Sequence, residues 1–580
     1  MKQSIFSVAS TCMVIFAFLI QPKALYGDEL SGAIINADHA AKFGRLLVQD
    51  SGGRIKPMDT LAVEVAVKIS GQSSPRTLSA SQVFLGIMSA PERWRNVGLI
   101  RITPQIAELL NLDPKTQLAS FNDFFEVTED NEILYRLEGV VDEAQRTSDS
   151  ERDKFQKEII KVDERVSIFY MIYQTYLLKI IPVKNDPNFL WISPVQIADR
   201  LSNEGDQKEA ALLVYNYIQA LKASQSSGDY AESDRALLAI AAFQETYGTA
   251  VIPSQRRISA EILLNHAQPF TVLMLLYFLI GSIYILSTFA QTLIPNLSRS
   301  RKMLLAMSGV KITLALLFVL HTASLGLRWY VAGHAPWSNG YESIIYISWA
   351  ALFAGLIFSK HSTFVLPAAT MMAAFSLMTA FISSMDPQIS NLQPVLRSYW
   401  LTIHVSVISA SYGFLGLSML LGVTAIIMFS FRRPNSIKID YSIRELNHIN
   451  EMSMMVGLAF LTIGNIFGAI WANESWGRYW SWDPKETWTL ISILVYASIL
   501  HFRFIPNMRS AYTFSLASVL GFFSILMTYF GVNYYLSGMH SYANGEPLPI
   551  PSWLPAILLA LFTLALFAWR KRDGRYPLER

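Results

Sequence analysis

The chain has 580 residues, 52% hydrophobic and 16% charged, with a formal net charge of +3. Its apolar residues lie in long runs, which excludes an ordinary soluble enzyme, and the small charge without a basic cluster among aromatics excludes a nucleic-acid binder. The single cysteine, Cys12, excludes an internal disulfide, a C-x-x-C redox pair and a thiolate metal site, so any thiol chemistry belongs to a partner.

At the N-terminus, Lys2 precedes an apolar stretch from Ile5 to Ile20 and then Pro22, Ala24 and Gly27. That is the layout of a signal peptide or signal anchor over residues 1–27, so the chain from Asp28 is expected outside the membrane. Residues 28–265 have a soluble composition and are expected to form a mainly helical extracytoplasmic domain, with amphipathic stretches at Arg152–Lys179 and Pro194–Lys222 and a polar break at Ser224–Asp229. After His266 the apolar runs come in quick succession, each near the ~20 residues that cross a bilayer. They fall at roughly 268–291, 303–325, 343–359, 363–384, 400–431, 452–472, 487–505, 511–533 and 553–569. The expected fold is an all-α polytopic membrane protein with about nine transmembrane helices, the first within a connecting segment 266–300.

Basic residues set the orientation. If the first of these helices runs inward, the inner segments hold Arg299, Arg301, Lys302, Lys360, Arg432, Arg433, Lys438, Arg444, Arg503, Arg509 and the tail Arg570, Lys571, Arg572, Arg575 and Arg580. The outer loops hold only Arg328, Arg397, Arg478 and Lys485, which is the asymmetry of the positive-inside rule.

One outer segment, residues 476–488, reads W-G-R-Y-W-S-W-D-P-K-E-T-W. Interfacial belts account for single tryptophans. Here Trp476, Tyr479 and Trp480 have i, i+3, i+4 spacing, which predicts one aromatic face on a short interfacial helix. Asp483-Pro484-Lys485-Glu486 then supplies an N-cap, Pro at N1 and Glu at N3 for the next membrane helix. Such a shelf suits a large, flat, mostly apolar ring with polar edges. Histidine is a natural ligand for iron in such a ring. His404 begins the fifth helix and His540 lies in the last outer loop, so the two bracket the Trp-rich segment. His501 is placed about 21 Å along its helix from Thr487 at ~1.5 Å per residue, in the inner half of the membrane. For His321 and His501, a hydrogen bond to a neighbouring helix is the competing reading. His39, His266, His361 and His448 are expected at solvated surfaces.

The Trp-rich segment resembles the WWD signature of membrane haem-handling proteins. With Y-W-L-T-I-H-V ahead of it, L-H-F-R behind it, G-V-N-Y-Y-L-S-G-M-H-S-Y last and R-W-Y-V-A-G-H-A-P-W-S-N-G-Y-E-S at 328–343, the order is similar to that of the CcsA (ResC) family of System II cytochrome c biogenesis. The likeness makes 301–580 a CcsA-like haem-handling domain with its WWD segment at 471–488. It implies export of ferrous haem b across the bacterial cytoplasmic membrane and its covalent attachment to an apocytochrome c C-x-x-C-H motif. The chain would work as part of a holocytochrome c synthase, a thioether-forming lyase, with a CcsB (ResB) partner and separate thiol-reducing proteins. By the same resemblance His404 and His540 are external haem ligands with the catalytic role, His501 is an intramembrane haem ligand, and Trp476, Trp480, Trp482 and Asp483 form the WWD core. The 268–291 helix lacks the second intramembrane histidine that the family takes from CcsB, so a separate partner is expected to supply it. Residues 28–265, with G-R-I-K-P-M-D-T-L-A, resemble the extra exported segment of some extended versions. Other readings are a System I protein of the CcmC or CcmF kind and a membrane-bound haem electron-transfer protein.

Overall fold

The computed structural model of the protein describes residues 33–572 apart from 129, 149–150, 201–204, 250, 295–300, 383–384, 393, 434–435, 537 and 540–553. The signal-like segment, Cys12 and His540 lie outside the described residues. The chain divides into two compact units, Met1–Asn265 and His266–Arg580.

The first unit combines helices with four two-stranded antiparallel sheets. Phe43, Phe84, Trp94, Phe124, Phe169 and Tyr217 are buried in its main core. The Arg152–Lys179 stretch gives a helix at Lys154–Tyr173, started by a capping box between Asp153 and Gln156. The expected break at Ser224–Asp229 lies later than its first residues suggest. The Gly205–Ser227 helix runs through Ser224, and the chain turns at Gly228 with φ +76°, a conformation glycine adopts without a Cβ clash. The G-R-I-K-P-M-D-T-L-A motif forms a clamp. Arg54 donates to Glu261 at 2.6 Å and Thr60 Oγ1 to the other Glu261 oxygen at 3.0 Å. Both tie the motif to the Gln255–Ala267 helix. Lys56 is paired with Glu64 at 2.5 Å.

His39 is buried, contrary to the expected solvated surface. Its Nδ1–H donates to Asp234 Oδ1 at 2.7 Å, and its Nε2 accepts from the Tyr217 hydroxyl at 3.1 Å. Burial lowers the His39 pKa against the opposing pull of Asp234. Desolvation pushes the Asp234 carboxyl up, but hydrogen bonds from Lys42 and His39 outweigh it and hold the carboxyl below its usual range.

The second unit is a helix bundle: α1 (Pro269–Leu293), α2 (Arg301–Ala332), α3 (Gly340–Phe358), α4 (Val365–Ile382), α5 (Tyr399–Phe431), α6 (Ile437–Trp476), α7 (Pro484–His501), α8 (Ala511–Leu526, prolonged to Tyr535) and α9 (Leu554–Trp569). Among the described residues eight helices are long and apolar enough to cross a membrane, while α9, the expected ninth, has 16 residues. The protein is therefore an all-α, multi-pass membrane protein. The sixth helix starts far ahead of the expected 452, at Ile437, because the polar stretch between continues the helix and buries Ile439, Ile443, Leu446 and Ile449.

Small residues set the packing, as they do where lipid offers no hydrophobic gain for helix association. A Cβ on Gly413 of α5 would stand 2.8 Å from the Ala351 nitrogen of α3, so these backbones approach closely. Between α5, α6 and α8, Ser418 donates to Asn450 at 2.5 Å and Asn450 to Ser518 at 2.9 Å. His321 is buried on α2, 3.3 Å from the Tyr277 hydroxyl of α1, a helix-to-helix contact of the structural kind.

Candidate functional site

The first turns of α5 carry Trp400, Thr402 and His404. His404 Nδ1 lies 2.7 Å from the Gly464 carbonyl of α6. A carbonyl only accepts, so Nδ1 carries the proton and Nε2 is the lone-pair nitrogen of the neutral ring. One turn further along α6, a Cβ on Gly468 would meet His404 Cε1 at 2.6 Å. Gly468 thus leaves the space that receives the imidazole and the Gly464 carbonyl orients it, while the missing Cβ of Gly464 makes room for Ile408. The sequence carries this small-residue signal, but its meaning depends on knowing which helix packs against it.

His404 lines a cavity of about 660 Å³ at this end of the bundle. Trp337, Trp471, Tyr479 and Trp480 supply aromatic wall, and His334, Asn465, Lys485, Glu486 and Asn533 supply polar edges. Trp337 Nε1 donates to the Thr402 carbonyl at 3.1 Å, which ties the 328–343 segment to the start of α5. That segment is itself held by a buried Arg328–Glu342 pair at 2.8 Å, whose carboxylate also accepts from the Ser338 amide at 2.9 Å. His334, Trp337 and Trp471 are cavity residues that sequence reading assigned no separate role. On the far wall, the Tyr529 hydroxyl donates to the Gly340 carbonyl at 2.8 Å. Tyr529 sits in a π-helical turn, Met527–Gly531, a feature frequent at functional sites.

The Trp-rich segment does not form the expected short helix. α6 extends to Trp476 and stops at Gly477 with φ +73°, and residues 478–483 are irregular, with Trp482 at φ +60°. A left-handed C-cap ends a helix and breaks the i, i+3, i+4 face. The rings pair differently. Trp476 packs edge-on against Trp471 at 4.8 Å and Trp480 against Trp482 at 5.7 Å. Tyr479 and Trp480 line the cavity, Trp476 supports Trp471 behind it, and Trp482 is 72% exposed.

The expected helix start is present in full. Asp483 caps α7, Pro484 is at its first position, and Glu486 closes the capping box. Glu486 also accepts from the Ser481 amide at 2.8 Å, which folds the W-S-W-D loop back onto the helix. Asp483 is buried and makes a further contact, in which its Oδ1 accepts from the Met539 amide at 2.6 Å. Lys485 reaches Asn533 at 2.9 Å on the same stretch. The segment leading to residue 540 is therefore tied to the Trp-rich loop at two points.

His501 is not in the cavity. It is the last residue of α7, exposed, and its Nδ1–H donates to the Ala497 carbonyl at 2.6 Å, which again makes Nε2 the lone-pair nitrogen. Among the described residues no group of three or more His, Cys, Asp or Glu could hold a metal ion.

The family described as Cytochrome C assembly protein matches residues 337–540. Protein NrfI of Wolinella succinogenes is 44% identical over 535 residues, covering 91% of this chain and 57% of that one. The cytochrome c biogenesis protein CcsA of Chlamydomonas reinhardtii is 37% identical over 245 residues, 41% of this chain and 67% of that one. CcsA of Prochlorococcus marinus is 35% identical over 265 residues, 40% of this chain and 84% of that one. The chain spans little more than half the length of NrfI, and its likeness to these CcsA proteins covers about two fifths of the chain. It belongs to the CcsA family of cytochrome c biogenesis proteins and carries an additional N-terminal region.

Proposed function

We propose that the aromatic cavity holds ferrous haem b on the outer face of the bacterial cytoplasmic membrane and presents it to an apocytochrome c. The observation that carries this reading is His404. Its ring is locked by the Gly464 carbonyl and the Gly468 groove, and it faces an aromatic cavity of about 660 Å³, within the ~300–1,000 Å³ usual for ligand sites. The outer orientation is supported by the few basic residues at the cavity end, Arg328, Arg397, Arg478 and Lys485, against the many on the other side.

In this reading His404 and His540 ligate the iron as a pair, Trp480 and Trp471 contact the ring, and Lys485 meets a propionate. The cysteine thiols of the C-x-x-C-H motif add across the two vinyl groups. Each addition breaks one S–H bond and one vinyl π bond and forms one C–S and one C–H bond without net oxidation, so the chain's residues bind and orient and need supply no electrons. Thiol-reducing proteins keep the apocytochrome cysteines reduced. His501, exposed with Nε2 as its acceptor, ligates haem in transit together with a histidine from a CcsB (ResB) partner, and the two chains act as the holocytochrome c synthase.

Absorption spectra of the purified chain, with and without CcsB, test the reading. A low-spin haem dependent on His404, together with holocytochrome formation in cells expressing both proteins, is expected. Absence of haem from the wild-type chain in both preparations would remove the proposal.

A further inference from the structure

A second cavity, of about 380 Å³, lies at the opposite end of the bundle from His404. The helices define that placement: α5 runs from Tyr399 beside the first cavity to Phe431 beside the second, and α6 returns from Ile437 to Trp476. Arg432, Arg444, Arg509 and Arg572 line it against one carboxylate, Asp440. Arg432 is 9% exposed and is held in place, with Nε donating to Asp440 at 2.7 Å and Nη1 to the Lys571 carbonyl at 3.3 Å. The rest of the wall is partly apolar, from Phe429, Ile443 and Tyr512.

Four guanidinium groups around one carboxylate leave an excess of positive charge inside a concave wall. Guanidinium is the side chain best matched to phosphate, because its planar fork donates two parallel hydrogen bonds. The level matters as well. α5 has 33 residues, so at 1.5 Å per residue it is about 50 Å long and overruns a hydrocarbon core of ~30 Å. Its end therefore reaches the depth of lipid headgroups, where basic pockets between membrane helices take anionic lipids. At roughly half the volume of the first cavity, this one suits a glycerol phosphate with the start of its acyl chains resting on Phe429, Ile443 and Tyr512.

We propose that this cavity binds the phosphodiester headgroup of an anionic phospholipid. The site pins the ends of α5, α6 and α8 to one leaflet, and it does so independently of the haem reading.

The full chain, purified in detergent, is titrated with phosphatidylglycerol, with phosphatidylcholine of the same acyl chains and with glycerol 3-phosphate, and bound species are counted by native mass spectrometry. Phosphatidylglycerol is expected to bind about tenfold more tightly than phosphatidylcholine, and the combined Arg444→Gln, Arg509→Gln, Arg572→Gln variant to lose about tenfold at an unchanged melting temperature. If the combined variant does not accumulate, the exposed Arg509→Gln alone is read, with a loss of about threefold expected. Tight binding of glycerol 3-phosphate that displaces the lipid would make a soluble phosphate the occupant and overturn the lipid assignment. Equal retention of the two lipids, or unchanged phosphatidylglycerol binding in whichever variant is read, would overturn the site.

Discussion

The Asp483 carboxylate accepts a hydrogen bond from the Met539 amide at 2.6 Å while it caps α7 through the Lys485 amide at 3.0 Å. One buried side chain thus joins the Trp-rich loop to the residue just before His540. Asp483→Ala removes both acceptors and is expected to reduce holocytochrome yield at least tenfold and to cost about 1 kcal/mol at the α7 terminus. Asp483→Asn keeps one oxygen and should fall between. Hydrogen exchange at residues 484–487 and 538–539 checks the link: unchanged protection at Met539 in Asp483→Ala would separate the two loops.

Ring placement divides the tryptophans. Trp480 lines the cavity and Trp482 is 72% exposed. Trp480→Ala should lower haem retained by the purified chain several-fold, with Trp480→Phe milder because much of the ring contact remains. Trp482→Ala should leave retention within about a factor of two, since little of its ring is buried. Equal losses at both positions would show that the exposed ring also meets the ligand.

In the first unit the Arg54–Glu261 pair is buried at both ends, with side chains 7% and 5% exposed. Arg54→Met leaves the carboxylate without its charge partner and is expected to destabilise this unit by about 3–5 kcal/mol. Arg54→Met with Glu261→Gln should recover much of that loss. Limited proteolysis of the full chain, read at sites within residues 33–265, measures both.

The His39–Asp234 contact predicts an acid-sensitive first unit. His39 has a folded pKa below its unfolded value of 6.5, so the unfolded chain binds more protons below that pH. Its contribution is complete above about 6.5 and is lost as pH falls from there, with a slope of at most ~1.4 kcal/mol per pH unit. Asp234, depressed from 3.8, adds a loss at lower pH of the same sign. Proteolysis rates should rise as pH drops from 7 to 5, and His39→Gln should flatten that part of the profile.

What the sequence made legible follows the range of the forces involved. The capping box at Asp483-Pro484-Lys485-Glu486 is local and is present as expected. The apolar runs locate the membrane helices because hydropathy is set residue by residue. The start of α6 was hidden, since Lys438, Asp440, Arg444 and Glu445 mask a helix whose other face is buried. The i, i+3, i+4 spacing of Trp476, Tyr479 and Trp480 misled, because Gly477 ends the helix in between. His404 stood out by its place in the sequence, whereas the Gly464 carbonyl and the Gly468 space that orient it exist only once α5 and α6 pack together.

The most direct test of His404 as a haem ligand changes no ligand atom. Gly468→Ala puts a methyl group 2.6 Å from His404 Cε1 and should push the imidazole from its seat. Haem retained by the purified chain is then measured beside His404→Ala, each with and without added imidazole. At least a tenfold loss is expected in both variants at normal membrane accumulation, with imidazole restoring a low-spin spectrum most fully in His404→Ala. Wild-type haem content and spectrum in either Gly468→Ala or His404→Ala would contradict that ligand assignment.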